Sequence, residues 1–90
     1  MPNKEETKAI IVKSFTDLVK SLNSDYTILK NVNVYGMPVD STDLLSLGLF
    51  KKGTLKTYIC VKNDSIEILY QRISKLVLTV VQEVNHDEVI

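Results

Sequence analysis

The twenty residues after Asp64 contain neither glycine nor proline, and their apolar side chains recur at helical spacing. At 100° per residue Ile66, Leu69, Tyr70, Ile73, Leu76, Val77, Val80, Val81 and Val84 share an arc of about 140°. An arc this wide belongs to a helix that covers a sheet, so the spacing predicts a long helix from Ser65 to about Val84. Asp64 followed three residues later by Glu67 supplies a capping-box pattern at its start. Ile68 and Leu78 fall outside the arc and leave apolar area for a partner. The β-branched richness of residues 76–84 also suits a hairpin turning at residues 72–75. The helix is the reading adopted.

Such a helix needs strands to cover. Residues 55–62 alternate Leu55, Thr57, Ile59 and Val61 with Lys56, Tyr58, Cys60 and Lys62, the period of a half-buried strand. Residues 26–35 set Tyr26, Ile28, Val32 and Val34 against Thr27, Asn31 and Asn33, a second strand closed by Gly36 and Pro38. Between them Asp40-Ser41-Thr42-Asp43 is a helix-start signal before Leu44, Leu45, Leu47 and Leu49. With Gly48 and Lys51-Lys52-Gly53 closing it, this segment is expected to form a short helix in a long connection.

Residues 4–22 admit two readings. As one helix, Ile11, Val12, Phe15, Leu18, Val19 and Leu22 line a single face behind a capping box of Asn3 and Glu6. Alternatively residues 8–13 form a β-branched strand and Ser14 caps a shorter helix. Periodicity slightly favours the single helix. The expected class is therefore α+β, a small antiparallel sheet covered by helices with a long C-terminal helix, in the order β-α-β-β-α or α-β-β-α. Residues 1–90 form one domain, with a loose polar tail at about 85–90.

Composition narrows the function. A chain of 90 residues buries only ~60 to 65 per cent of its unfolded surface, so a stability of about 5 kcal/mol is ordinary and burial against a partner is useful. Eleven basic side chains balance eleven acidic ones and the lysines are scattered, which argues against a phosphate-binding face. The single cysteine, Cys60, forms no internal disulfide, the first six residues hold no signal-peptide pattern, and no apolar run is long enough to span a membrane. A cytoplasmic location is the expectation.

No catalytic, cofactor or metal site is expected. His86 is the lone histidine, placed in the tail and far in sequence from Cys60, which itself reads as a small buried hydrophobe. The carboxylate pairs Asp40 with Asp43 and Asp64 with Glu67 coincide with helix starts, where acidic groups satisfy free amides. Gly36, Gly48 and Gly53 match no phosphate-binding loop. Binding features remain: Leu47, Leu49 and Phe50 either pack as a lid on the sheet, the favoured reading, or meet a partner. The terminal Asp87-Glu88-Val89-Ile90 would suit a carboxylate-binding groove, a pattern that arises easily by chance.

The run Leu55-Lys56-Thr57-Tyr58-Ile59-Cys60-Val61-Lys62-Asn63-Asp64-Ser65-Ile66-Glu67-Ile68-Leu69-Tyr70-Gln71-Arg72-Ile73-Ser74-Lys75-Leu76 resembles the small dimerising subunit of the KEOPS complex, in which a strand passes through an acidic turn into a long C-terminal helix. Extended to the N-terminus, the resemblance implies a strand at residues 9–13, a helix at 15–22 and the order β-α-β-β-α. Two departures mark a divergent relative or paralogue: Ile66-Glu67-Ile68-Leu69 replaces the usual Leu-Arg-Ala-Ser type opening, and residues 36–53 make a long connection. The family implies a non-catalytic subunit, without cofactor, that pairs with itself or a related small subunit. It also docks the larger catalytic subunit that makes threonylcarbamoyladenosine in tRNA. Ile66, Tyr70, Ile73, Val77 and Val81 would then serve both sheet packing and pairing.

Three other readings compete. A roadblock-type dimeric scaffold for signalling or GTPase complexes needs a turn at residues 72–75. An α-β-β-β-α double-stranded-RNA-binding domain is disfavoured by the even charge. A small phage-type inhibitor acting by surface binding would leave no sequence signature.

Overall fold

A computed structural model describes residues 3–30, 32, 44–62 and 65–88. The chain runs α1 (Lys4–Leu22), β1 (Tyr26–Lys30), β2 (Leu44–Lys51), β3 (Thr54–Lys62) and α2 (Ile66–Glu88). The strands form one antiparallel sheet in the order β1-β2-β3. The class is α+β, as the periodicities predict, and the element order is α-β-β-β-α.

Residues 4–22 form the single helix. Asn3 sits in extended backbone as the N-cap, and its side-chain oxygen accepts the Glu6 N–H at 2.8 Å. That bond satisfies an amide the first turn leaves free. Residues 9–13, a strand under the extended resemblance, lie in mid-helix. Local β-branched preference yields here because Val12 and Val19, seven residues apart, reach the same buried seam.

The largest correction concerns residues 44–50, which form the central strand and not a short helix. Leucine-rich runs of this length carry no decisive period, and in the middle strand residues 46–49 are all buried. Lys52 and Gly53 do not end a helix; they are the two-residue loop of the β2–β3 hairpin, both at positive φ (50° and 82°). That pair of values is the loop geometry whose twist matches the flanking strands. Asp40 to Asp43, read as a helix start, lie outside the described residues.

Two further differences follow from local irregularity. The β2–β3 register shifts between Leu49 and Phe50, so that Leu49 faces Thr57 while Phe50 faces Leu55. Lys56 is the extra residue, and Leu55 moves off the face of Thr57, Ile59 and Val61. Similarly, Val32 does not continue the inward row of Tyr26 and Ile28, since its side chain packs on the opposite side of the sheet, above Gly48.

Both helices pack on one face of the sheet. Val12 and Val19 of α1 and Leu69, Ile73, Leu76 and Val80 of α2 close over Tyr26, Ile28, Leu47, Leu49 and Val61. Phe15 meets Tyr70 edge-on at 5.5 Å between ring centroids, joining the helices above the core. The cap of α2 is Ser65: its hydroxyl accepts the Ile68 N–H at 3.2 Å, and its carbonyl takes the Leu69 N–H. Asp64, the expected cap, lies outside the described residues. α2 also runs on through Glu88, taking in Asn85 and His86 that the sequence assigned to a tail. Among the described residues no helix is long and apolar enough to cross a membrane.

Candidate interaction surface

The strand pattern dictates two different faces. Side chains alternate along each strand, and directly paired antiparallel residues point the same way. One face carries Tyr26, Ile28, Leu45, Leu47, Leu49, Ile59 and Val61 beneath the helices. The other carries Leu29, Gly48 and Tyr58 across one register line, with Ser46 and Cys60 on one side and Phe50 and Leu55 on the other.

An antiparallel sheet with one face packed ordinarily turns polar residues to water on the other. This outer face is apolar instead. Leu29, Leu55 and Tyr58 are 49, 39 and 42 per cent exposed, and Phe50 and Cys60 are half-buried. Val32 gives partial cover: the Ser46 hydroxyl donates to its carbonyl oxygen at 3.0 Å, and its side chain fills the space where Gly48 has no Cβ. A Cβ at Gly48 would stand 2.6 Å from the Val32 side chain, so glycine is what admits this approach.

The interface residues expected from sequence divide into three groups. Leu47, Leu49 and Ile73 are fully buried in the core and offer nothing to a partner; for the two leucines the favoured core reading holds. Ile66, Val77 and Val81 are half-buried along α2, while Tyr70 is exposed beside Phe15. Phe50 alone of the set lies on the outer face. Leu29, Leu55 and Tyr58, its neighbours there, were missed because the sequence reading made residues 44–50 a helix and left the sheet without a centre.

A polar cleft of about 480 Å³ opens where the β2–β3 hairpin meets the C-terminal half of α2. Lys51, Lys56, Thr79, Gln82, Glu83 and His86 line it. Glu83 is engaged from two sides: the buried Tyr26 hydroxyl donates to its carboxylate, and Lys56 Nζ stands 4.0 Å away. Lys51 Nζ lies 5.5 Å from the centre of the Tyr26 ring. These contacts tie β1 and the hairpin to α2, and His86 stands at the rim of the cleft, on a helix. Cys60 has no metal-binding company, for among the described residues no three of His, Cys, Asp and Glu come together.

The cationic side chains are dispersed. On α1, Lys8 is buried against Glu5 at 2.7 Å and Lys13 bonds Asp17 at 2.7 Å. Glu67 stands in the first turn of α2. By contrast, Lys62, Arg72 and Lys75 are exposed, and among the described residues they enter no ion pair. No protein-family model matches this chain, and no curated protein or solved structure is significantly similar to it.

Proposed function

We propose that this chain is a non-catalytic protein-interaction domain. The observation that carries the proposal is the outer sheet face, where Leu29, Phe50, Leu55 and Tyr58 stand in place of the polar residues that water favours. A small domain gains stability when a partner covers such a face.

In its specific form the chain is a cytoplasmic accessory subunit that pairs with a related small subunit and supports the catalytic subunit of a KEOPS-type tRNA-modifying assembly. The hairpin strand β3, followed closely in the chain by the long α2, supports this form. It rests on residues 55–76 alone, because the continuous α1 departs from the N-terminal half that the resemblance implies. The test is a pull-down of the tagged chain from its native cells, with co-purifying proteins identified by mass spectrometry. Recovery of a kinase-like ATPase with a small paralogous subunit supports the specific form. Reproducible recovery of other proteins, abolished by Tyr58→Asp or Phe50→Asp, leaves the general reading and sinks the KEOPS one. Recovery of no protein sinks both.

A second reading is favoured by one observation. The order α-β-β-β-α with both helices on one sheet face is that of a double-stranded-RNA-binding domain. Duplex RNA is held largely through phosphate and 2′-hydroxyl contacts, which need clustered cations. The paired lysines of α1 and Glu67 at the start of α2 count against it. Binding of a 20-base-pair RNA duplex that weakens steeply with salt would revive it; no binding at low salt would remove it.

A further inference from the structure

β3 is an edge strand, and among the described residues it pairs with β2 alone. Which backbone groups face outward follows from one bond. Lys52 N–H donates to the Asp25 carbonyl at 2.9 Å, so even-numbered residues of β2 turn their amides toward β1 and odd-numbered ones toward β3. Thr57, Ile59 and Val61, which pair with Leu49, Leu47 and Leu45, therefore face inward. The N–H and C=O groups of Tyr58 and Cys60 and the N–H of Lys62 point out of the sheet, while the Lys62 carbonyl accepts the Ser65 N–H at 3.5 Å.

Edge strands are commonly guarded by charge, proline or a bulge. Here the guards stand at the ends, with the extra residue Lys56 near the hairpin and Lys62 at the close of the strand. Between them Thr57-Tyr58-Ile59-Cys60-Val61 contains no charged residue, glycine or proline. The edge is built to pair.

The helix above it sets the chemistry of the partner. Tyr70 meets Phe15, so that flank of α2 faces α1. Ile68, Arg72 and Lys75 lie roughly 140 to 200° around the helix from Tyr70, on the flank turned away from α1 and toward the β3 side of the sheet. They are exposed, and with Lys62 they give the edge three cations that pair with no acid among the described residues. We propose that the β3 edge accepts an extended acidic segment of another protein as a fourth strand. The backbone of that segment pairs with Tyr58, Cys60 and the Lys62 N–H. Its acidic side chains reach Arg72 and Lys75 on the helix side, and the alternate apolar ones lie beside Tyr58 and Leu55 on the outer face. A second copy fits this edge poorly. Two β3 strands paired antiparallel would press the two α2 flanks together, each bringing Arg72 and Lys75 against cations of the other.

This inference rests on the reading of the chain as an interaction domain and names the partner of one part of its surface. The probes are two end-blocked ten-residue peptides, one alternating valine with glutamate and one alternating valine with lysine, titrated into the ¹⁵N-labelled full chain. The expected result is amide shifts centred on Tyr58, Cys60 and Lys62 with the glutamate peptide, and binding about tenfold or more weaker with the lysine peptide. The double variant Arg72→Glu, Lys75→Glu reverses that preference. Cys60→Pro removes an outward N–H and abolishes binding; since both substituted charges are exposed, the double variant keeps the test decisive if the proline variant fails to fold. Equal binding of both peptides, shifts centred on Leu29 and Phe50, or no shift at millimolar peptide overturns the proposal. A chain that captures proteins in the pull-down yet ignores both peptides loses the edge assignment and keeps the interaction reading.

Discussion

The two faces of the sheet are made by the same three strands, yet only one obeys the usual division of labour. Beneath the helices, Leu47 and Leu49 are fully enclosed by side chains from both helices and both neighbouring strands. On the outer face Leu29, Leu55 and Tyr58 keep about two-fifths to a half of their surface in water, although the two leucines there are as apolar as those inside. The difference teaches that apolar character alone does not tell which residues a fold encloses: depth is set by which face of the sheet the helices cover. The inner face is closed by the helices; the outer face keeps apolar side chains in water.

Truncation separates the faces most sharply. Leu47→Ala or Leu49→Ala is expected to cost about 2 to 5 kcal/mol in urea denaturation, because each leaves a cavity that the helices cannot fill. Leu29→Ala, half-exposed, is expected to cost under ~1 kcal/mol. A loss at Leu29 equal to that at Leu47 would break the comparison and make the outer face a second core.

The next largest effect lies where the faces meet the backbone. Gly48→Val puts a side chain where the Val32 methyl already sits and is expected to cost about 1 to 3 kcal/mol, much of it recovered in the double variant with Val32→Ala. If Val32→Ala recovers nothing, the close approach over Gly48 is wrong. A smaller effect tests the tie between β1 and α2: Tyr26→Phe removes a donor to Glu83 and is expected to cost about 1 kcal/mol, while Lys56 of the hairpin stays to hold the carboxylate.

One substitution should stabilise. Lys52 adopts φ 50°, a conformation that asparagine accepts more readily, so Lys52→Asn is expected to raise stability by a few tenths of a kcal/mol, about 0.5 at most. The smallest effect is on α1, where hydrogen bonding to Asp17 and its charge raise the Lys13 pKa above its ordinary value. A raised folded-state value means that the pair's contribution is complete below the ordinary lysine value and is lost as pH rises through the raised one. Both side chains of the pair are exposed, so Lys13→Ala should leave the denaturation midpoint nearly unchanged between pH 6 and 9, measured in matched buffers of about 0.1 M ionic strength.

Much of this fold was legible because long segments average over many residues. The period of Ile66 to Val84 fixed α2, and the alternation of Thr57, Ile59 and Val61 fixed β3. Asn3 announced the start of α1 through a bond the structure contains. What failed was short or irregular. Residues 44–50 resemble a helix because leucine favours one and Asp43 precedes them. Leu55 was put on the wrong face because a one-residue bulge reverses every side chain before it. Of the expected interface, Leu47, Leu49 and Ile73 proved internal, since a linear sequence gives no measure of depth.

The sequence by itself determined the class, the two helices, the strand beside α2 and two apolar residues, Ile68 and Leu78, outside the packed arc of α2. Only the tertiary structure decided that residues 44–51 pair with strands on both sides, and so which apolar residues lie inside and which are left on the outer face. The physical reason is that local preference is summed within a few residues, whereas burial depends on partners such as Ile28 and Ile59, which stand far away in the chain and adjacent in the sheet.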